Sequence, residues 1–291
     1  MAGQRLPDFS EENDWLTGSW LSSFILARQA GLKADFPREY SDWHSRPLLL
    51  LPSPLTSTDS FLTHVHTDFW AKAERYVSDG GALYASLCGD TAIPEMQSLF
   101  GARLVDHAPA SEVTLKVVTA WGGLNPGDTF HYSAGGGSAR QWAATLETRG
   151  GTVIAVDQDG RPALVANRLG KGATLLSAYP LENYLANVPA AFDKDENTYR
   201  IYQAFAGWSG VKLRCHTDQS SVEAMSLDAR DHGYVIVVSH NGKSEHVTVT
   251  SSEPLKSLRR LTADGEQPVL FQDSRWELDL PPYGAAVFEW R

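Results

Sequence analysis

The residue best suited to chemistry in this 291-residue chain is Cys88, in the run Ser86-Leu87-Cys88-Gly89-Asp90. It follows an apolar segment, Ala82–Leu87, that reads as a buried strand, and the carboxyl end of such a strand is where open α/β sheets place their reactive groups. A cysteine there acts as a nucleophile only as the thiolate, with a base within hydrogen-bond reach and an acid to orient that base. Three further clusters carry residue types that bind metals or nucleotides. His64, His66 and Asp68 fall close together, but only His64 and Asp68 share a helical face, so a solvated surface explains them better than a metal site. Asp157-Gln158-Asp159-Gly160 opens like a calcium loop without its later bidentate acid, and reads as a hairpin turn. Gly135-Gly136-Gly137 lacks the G-x-G-x-x-G frame between a strand and a helix. No metal or cofactor is expected. Of the nine tryptophans, Trp15, Trp20, Trp70, Trp208, Trp276 and Trp290 fall on apolar faces of helices or strands. Trp43 and Trp121 sit in or beside loops and are the candidates for stacking on a sugar ring.

The elements that must position these residues begin with Arg46–Asp90. Pro47–Pro52 is apolar throughout its leucine run, as in a strand covered on both faces. A helix from about Ser60 to Ser78 places Phe61, Val65, Phe69, Ala73 and Val77 on one stripe. Thr58, Asp59 or Ser60 can cap its start, and Asp79-Gly80-Gly81 ends it. With Ala82–Leu87 this is a right-handed βαβ unit. Before it, Trp15–Ala30 reads as a helix and Leu32–Phe36 as a short strand. After it come a short helix over Thr91–Phe100 closed by Gly101, and a strand at Arg103–Val105. The segment 111–178 then alternates and is punctuated by DQDG and LGKG turns, which describes an antiparallel meander added to the parallel sheet. Asp193, Asp195 and Glu196 suit the start of a helix that continues through Tyr199 to Trp208.

Gly207–Gly210 is the expected domain boundary. It leaves an α/β domain over 1–209 and a β-domain over 210–291. The second part holds about eight short strand-like segments, among them GYVIVVSH, EHVTVTS, LKSLRRLTA, PVLFQ, WELDL and AAVFEW. With NGKS, ADGEQ and PPYG turns and no helix between them, they predict an antiparallel β-sandwich.

Bulk properties narrow the function. The chain is 42% hydrophobic and 21% charged, ordinary for a globular protein, and its net charge of −10 argues against nucleic acid as principal partner. Cys88 and Cys215 fall in different domains, so no disulfide framework is expected. MAGQRLPDFSEEND has no signal-peptide order, and no apolar segment approaches the ~20 residues that span a bilayer, so a cytoplasmic protein without a membrane partner is expected.

Two resemblances follow from these residues. The strand ending at Cys88 and the later segment GATLLSAYPLE resemble the class I glutamine amidotransferases, in which a cysteine on a glycine-flanked turn faces a His-x-Glu on a later strand. That resemblance implies a flavodoxin-like, mostly parallel sheet with helices on both faces. It aligns Cys88, Tyr179 and Glu182 with the catalytic positions, but Ser86 and Asp90 replace the flanking glycines, Tyr179 stands where the histidine should be, and Glu182 is displaced by one. A phenol titrating near ~10 is a poor base at neutral pH, so these positions read as vestigial. The wider order of parts also resembles the C-terminal half of family 42-type β-galactosidases. It runs through ILARQAGLKADF, LLLLPSPL, YVSDGGALYASL, LFGARLVD and GKGATLLSAYPLE, and closes on LPPYGAAVFEW. In that family a catalytic (β/α)8 barrel precedes an amidotransferase-like trimerisation domain and a small β-sandwich. The resemblance implies an accessory, homo-oligomer-forming part whose partner is the barrel, in the same protein or on a separate chain. A barrel of ~250 residues has no room here, so no residue inherits a glycosidase role. The alternatives are a free-standing hydrolase using Cys88 and a stand-alone carbohydrate-binding module. A flavodoxin-like sheet also needs a strand before the Trp15 helix, which 1–14 does not supply. The expectation is a fragment, a partner-supplied strand or a rearranged sheet, with an open strand edge between Leu32–Phe36 and Pro47–Pro52.

Overall fold

A computed structural model of the chain describes residues 11–53, 68–87, 93, 95–110, 112–133, 142–188, 191–193, 197–229 and 231–291. The chain divides into two compact units. The first comprises Met1–Phe24, Asp35–Ala191 and Ala204–Val211, and the second Ile25–Ala34, Phe192–Gln203 and Lys212–Arg291.

Helix α1 (Glu11–Gln29) opens the described chain, as its apolar spacing predicts, and ends at Gly31 with φ +76°. The βαβ unit follows as β1 (Leu48–Leu51), α2 (described over Phe69–Ser78) and β2 (Ala82–Ser86). Phe69, Ala73 and Val77 are buried along α2, as the stripe requires, while Phe61, Val65 and the expected cap lie outside the described residues. The short helix α3 (Met96–Phe100) closes at Gly101 in the left-handed region, with φ +62°. Then come β3 (Ala102–Pro109), β4 (Glu112–Val117), β5 (Thr129–Ser133), β6 (Trp142–Thr148), β7 (Thr152–Val156), β8 (Pro162–Leu169), β9 (Gly172–Ser177), α4 (Leu181–Ala186) and α5 (Tyr199–Ser209).

Seven strands form one mixed sheet in the order β1-β2-β9-β8-β7-β4-β5. Among the described residues only β1–β2 and β2–β9 are parallel; from β9 outward every pairing is antiparallel. The sheet is therefore not mostly parallel. The DQDG and LGKG segments make tight hairpins, and a tight hairpin can join only antiparallel neighbours. Strands β3 and β6 leave the main sheet altogether and pair with each other, with a bulge between Leu104 and Asp106. Burial follows position. β2 and β9 are buried at every residue, whereas β4 alternates because one of its faces meets solvent. β1 carries four leucines yet is only half-buried over its first three residues, because it is the last strand of the sheet. The residues Leu32–Phe36, expected as a strand, belong to no strand, and the Leu32 N–H bonds back to the carbonyl of Ala27.

The second unit holds β10 (Cys215–Thr217), β11 (Val222–Asp228), β12 (Gly233–Ser239), β13 (Glu245–Ser251), β14 (Leu258–Thr262), β15 (Gly265–Pro268), β16 (Arg275–Leu280) and β17 (Ala285–Trp290). They form a three-stranded sheet, β10-β13-β16, and a five-stranded sheet, β11-β12-β17-β14-β15, all antiparallel. Strict alternation along β12 and β16 turns one side of each sheet inward. The shared core is built from Val235, Val237, Val247, Val249, Trp276 and Phe288, with the Trp276 and Phe288 rings edge to face at 5.6 Å. One expected strand shifts. β15 occupies Gly265–Pro268 rather than PVLFQ, because β14 and β15 meet in a tight hairpin at Thr262 and Gly265, and Pro268, lacking an N–H, sits at the end of an edge strand. Leu270 beyond it is 95% exposed.

Candidate functional site: the carboxyl ends of the parallel strands

The carboxyl ends of β1, β2 and β9 hold Ser53, Ser86 and Tyr179, with Glu182 on the α4 that follows. Cys88 itself lies outside the described residues. β2 is buried on both faces, and its alternation puts Tyr84 and Ser86 on one side. Both hydroxyls point at Glu182 on α4, which is fully buried. Tyr84 OH donates to Oε1 at 2.7 Å and Ser86 Oγ to Oε2 at 2.6 Å. Ser86 Oγ in turn accepts the backbone N–H of Ser53 at 2.9 Å. Ser53, two residues past β1, has φ +45°, a left-handed conformation uncommon for a residue with a side chain. Glu182 is thus committed to two hydroxyl donors that tie α4 to β2, and through Ser86 to β1.

Tyr179, just past β9, faces elsewhere. Its hydroxyl donates to Asp157 Oδ2 at 2.8 Å. Asp157 Oδ1 accepts the backbone N–H groups of Asp159 and Arg161 at 2.9 and 2.8 Å, closing the β7–β8 turn. The DQDG segment is therefore a hairpin turn, as its spacing suggests, and its first acid also anchors Tyr179. Burial, followed by the bond to Asp157, pushes the Tyr179 phenol well above its ordinary range. The group stays neutral and holds its proton, so it cannot serve as a general base. A pocket of about 210 Å³ opens beside it, lined by Glu112, Thr145, Asp157, Asp159, Arg161 and Tyr179 among others. Tyr179 and Glu182 are brought to the same end of the sheet but have separate partners, and no base–acid pair forms between them.

The remaining candidates sort by burial. Trp43 is 3% exposed, packed edge-on against Phe69 and Tyr76 with the Lys72 ammonium 3.8 Å above its ring. Trp121 is 7% exposed and lies against Phe205 and Trp208. Neither presents a ring face to a sugar, because a loop tryptophan next to a helix finds its partners in that helix. Trp208 is further covered by the Arg168 guanidinium at 3.9 Å. His64, His66, Gly135–Gly137, Asp195 and Glu196 lie outside the described residues, as do the side chains of Trp142 and Asp193. Sequence reasoning missed Ser53 and Tyr84, and named Ser86 and Asp157 without the roles they have here. The signal available was two hydroxyl residues on one side of a strand otherwise apolar, since buried hydroxyls must find an acceptor.

Residues 19–188 match the family model described as the β-galactosidase trimerisation domain. The chain belongs to that family. No curated protein sequence matches it significantly. Among solved structures, it is similar to a GH42 β-galactosidase from G. stearothermophilus, at 16% identity and TM-score 0.65, covering 98% of this chain and 38% of that one. A β-galactosidase from Bacillus circulans sp. alkalophilus gives 14%, 0.64, 97% and 38% in the same terms. An α-L-fucosidase isoenzyme 2 from Paenibacillus thiaminolyticus gives 11%, 0.66, 94% and 45%. At these identities the likeness is one of fold, and this trimerisation-domain chain spans less than half the length of each of those proteins. Among the described residues no helix is long and apolar enough to cross a membrane.

Proposed function

We propose that this chain is the accessory, oligomer-forming portion of a glycoside hydrolase acting on β-linked sugars, and that it works beside a catalytic (β/α)8 barrel carried in the same polypeptide or on a separate chain. The observation that carries this reading is the match of residues 19–188 to the trimerisation-domain model. The site chemistry supports it, since the acid and the tyrosine at the nucleophile-bearing end of the sheet are spent on structural hydrogen bonds. On this reading the first unit is an amidotransferase-like, flavodoxin-derived layer reduced to three parallel strands, with a boundary near Gly207–Gly210 before the sandwich. The parallel trio β1-β2-β9 with α2 as its crossover is the part that favours that ancestry. Cys88 then occupies a position without chemistry, in a cytoplasmic protein.

The test is molecular mass in solution by light scattering, with and without a candidate barrel protein. Three copies per particle, or a stable complex with the barrel protein, is the expected result. A chain that stays monomeric at high micromolar concentration and ignores every barrel protein offered would sink the proposal.

A further inference from the structure

In the second unit, β12 ends at Ser239 and β13 begins at Glu245. The turn between them holds Asn241-Gly242, the one Asn-Gly pair in the sequence. Before glycine, an asparagine side-chain amide is open to attack by the next backbone nitrogen, because glycine has no Cβ to shield that nitrogen or to restrict the turn that brings it round.

The fold holds this pair ready for that attack. Asn241 Oδ1 accepts the backbone N–H of Lys243 at 3.2 Å. The bond folds the side chain back over the intervening peptide and polarises its carbonyl toward a nucleophile. The N–H of Gly242, the attacking group, has no hydrogen-bond partner among the described residues. Gly80 and Gly160 follow Asp79 and Asp159 and could close the same ring, but their N–H groups donate to the carbonyls of Val77 and Asp157 at 2.9 and 3.1 Å. Attack requires the nitrogen to lose its proton, so an N–H given to a turn is protected and that of Gly242 is not.

Asn241 also belongs to the joint that fastens three strands. Glu245 accepts from Ser221 just before β11, from Ser239 of β12 at 2.6 Å, and from Asn241 Nδ2 at 3.1 Å. The backbone carbonyl of Asn241 accepts the N–H of Tyr283 at 2.9 Å.

We propose that Asn241 is a self-modifying position whose conversion loosens this joint. The Gly242 nitrogen bonds to Asn241 Cγ and gives up its proton, and the side-chain nitrogen leaves as ammonia. The cyclic imide so formed takes up one water and opens at either carbonyl, leaving aspartate or isoaspartate at 241. Either product replaces a donor to Glu245 with a carboxylate beside it, and like charges at that range repel. Isoaspartate also adds a carbon to the main chain, which draws the 241 carbonyl away from Tyr283. The sandwich therefore weakens with the age of the chain.

The experiment incubates the whole chain at mildly alkaline pH and follows every asparagine by peptide mapping and mass spectrometry. Gly242→Ala is the control, since its Cβ meets only the outer end of the Tyr283 ring, with the hydroxyl at 3.0 Å. Asn241 is expected to convert at least ~10-fold faster than any other asparagine, and Gly242→Ala to slow it by a similar factor. Calorimetry then compares fresh chain, converted chain and Asn241→Asp, and the last two should melt about 2–4 °C lower. Another asparagine converting ahead of Asn241 in the folded chain, or a folded Gly242→Ala that converts as fast, overturns the modification site. Conversion that leaves melting unchanged, in the aged chain and in Asn241→Asp alike, overturns the loosening of the joint.

Discussion

Glu182 shows how one buried acid can decide between catalysis and structure. Its two oxygens are taken by Tyr84 and Ser86, and a carboxyl group buried in the interior is tolerable only when hydrogen-bonded in this way. Glu182→Ala removes the carboxylate that accepts from both buried hydroxyls, and urea denaturation should show a loss of roughly 2–4 kcal/mol. Glu182→Gln keeps one carbonyl acceptor and should lose less; equal losses for the two variants would show that packing, not hydrogen bonding, fixes α4. Thiol chemistry is a second check at this scale. Burial raises the Cys215 thiol to about 12, so it should resist iodoacetamide in the folded protein. Cys88 should react no faster than a free cysteine, since Tyr179, aligned with the position of the base, holds its own proton. Mass-spectrometric labelling rates measure both, and rapid labelling of Cys88 at neutral pH would restore the hydrolase alternative.

At the level of elements, the βαβ unit depends on close backbone approach. Gly172 begins β9 directly against the end of α2, and a Cβ there would collide with the carbonyl oxygens of Val77 and Gly81. Gly172→Ala should therefore destabilise the chain by about 1–3 kcal/mol, read from the urea midpoint, although alanine is otherwise favoured over glycine in a strand. The sandwich carries two acid-sensitive groups with different windows. Burial, and then Arg275, lowers the pKa of His216 on β10, so the folded state holds it neutral while the unfolded chain takes up a proton below ~6.5. The unfolded state then binds more protons, and stability declines as pH falls through that value. Glu245 on β13 acts lower. Burial raises its pKa, but the hydrogen bonds from Ser221, Ser239 and Asn241 outweigh it, and the net shift is downward. Its contribution is present above ~4.3 and disappears as pH falls through the folded value. Calorimetric melting from pH 7 to 3 should show His216→Gln flattening the upper part of the decline and Glu245→Gln the lower part. Parallel profiles for all three proteins would reject both assignments.

For the molecule as a whole, the sequence determined more of the architecture than of the site. Apolar runs at Leu48–Leu51 and Ala82–Leu87 mark the two strands of the βαβ unit, and the alternation from Gly233 onward marks the sandwich, because burial on two faces and on one face leave different periodicities; the parallel pairing of Gly172–Ser177 with β2, in a segment expected to be an antiparallel meander, is a tertiary outcome. The DQDG and LGKG turns, the stripe on α2 and the order of parts that points to the family were legible for the same local reason. Three more things were decided only by tertiary structure. Whether a four-leucine strand is central or at an edge depends on which neighbours it finds, and β1 finds one. Whether Trp43 and Trp121 face solvent depends on helices distant in sequence, which bury both. Whether Tyr179 and Glu182 form a catalytic pair depends on where their hydrogen bonds go, and Asp157, Tyr84 and Ser86 take them. Local periodicity is written residue by residue, whereas pairing, burial and hydrogen-bond partnership are properties of what the folded chain brings alongside.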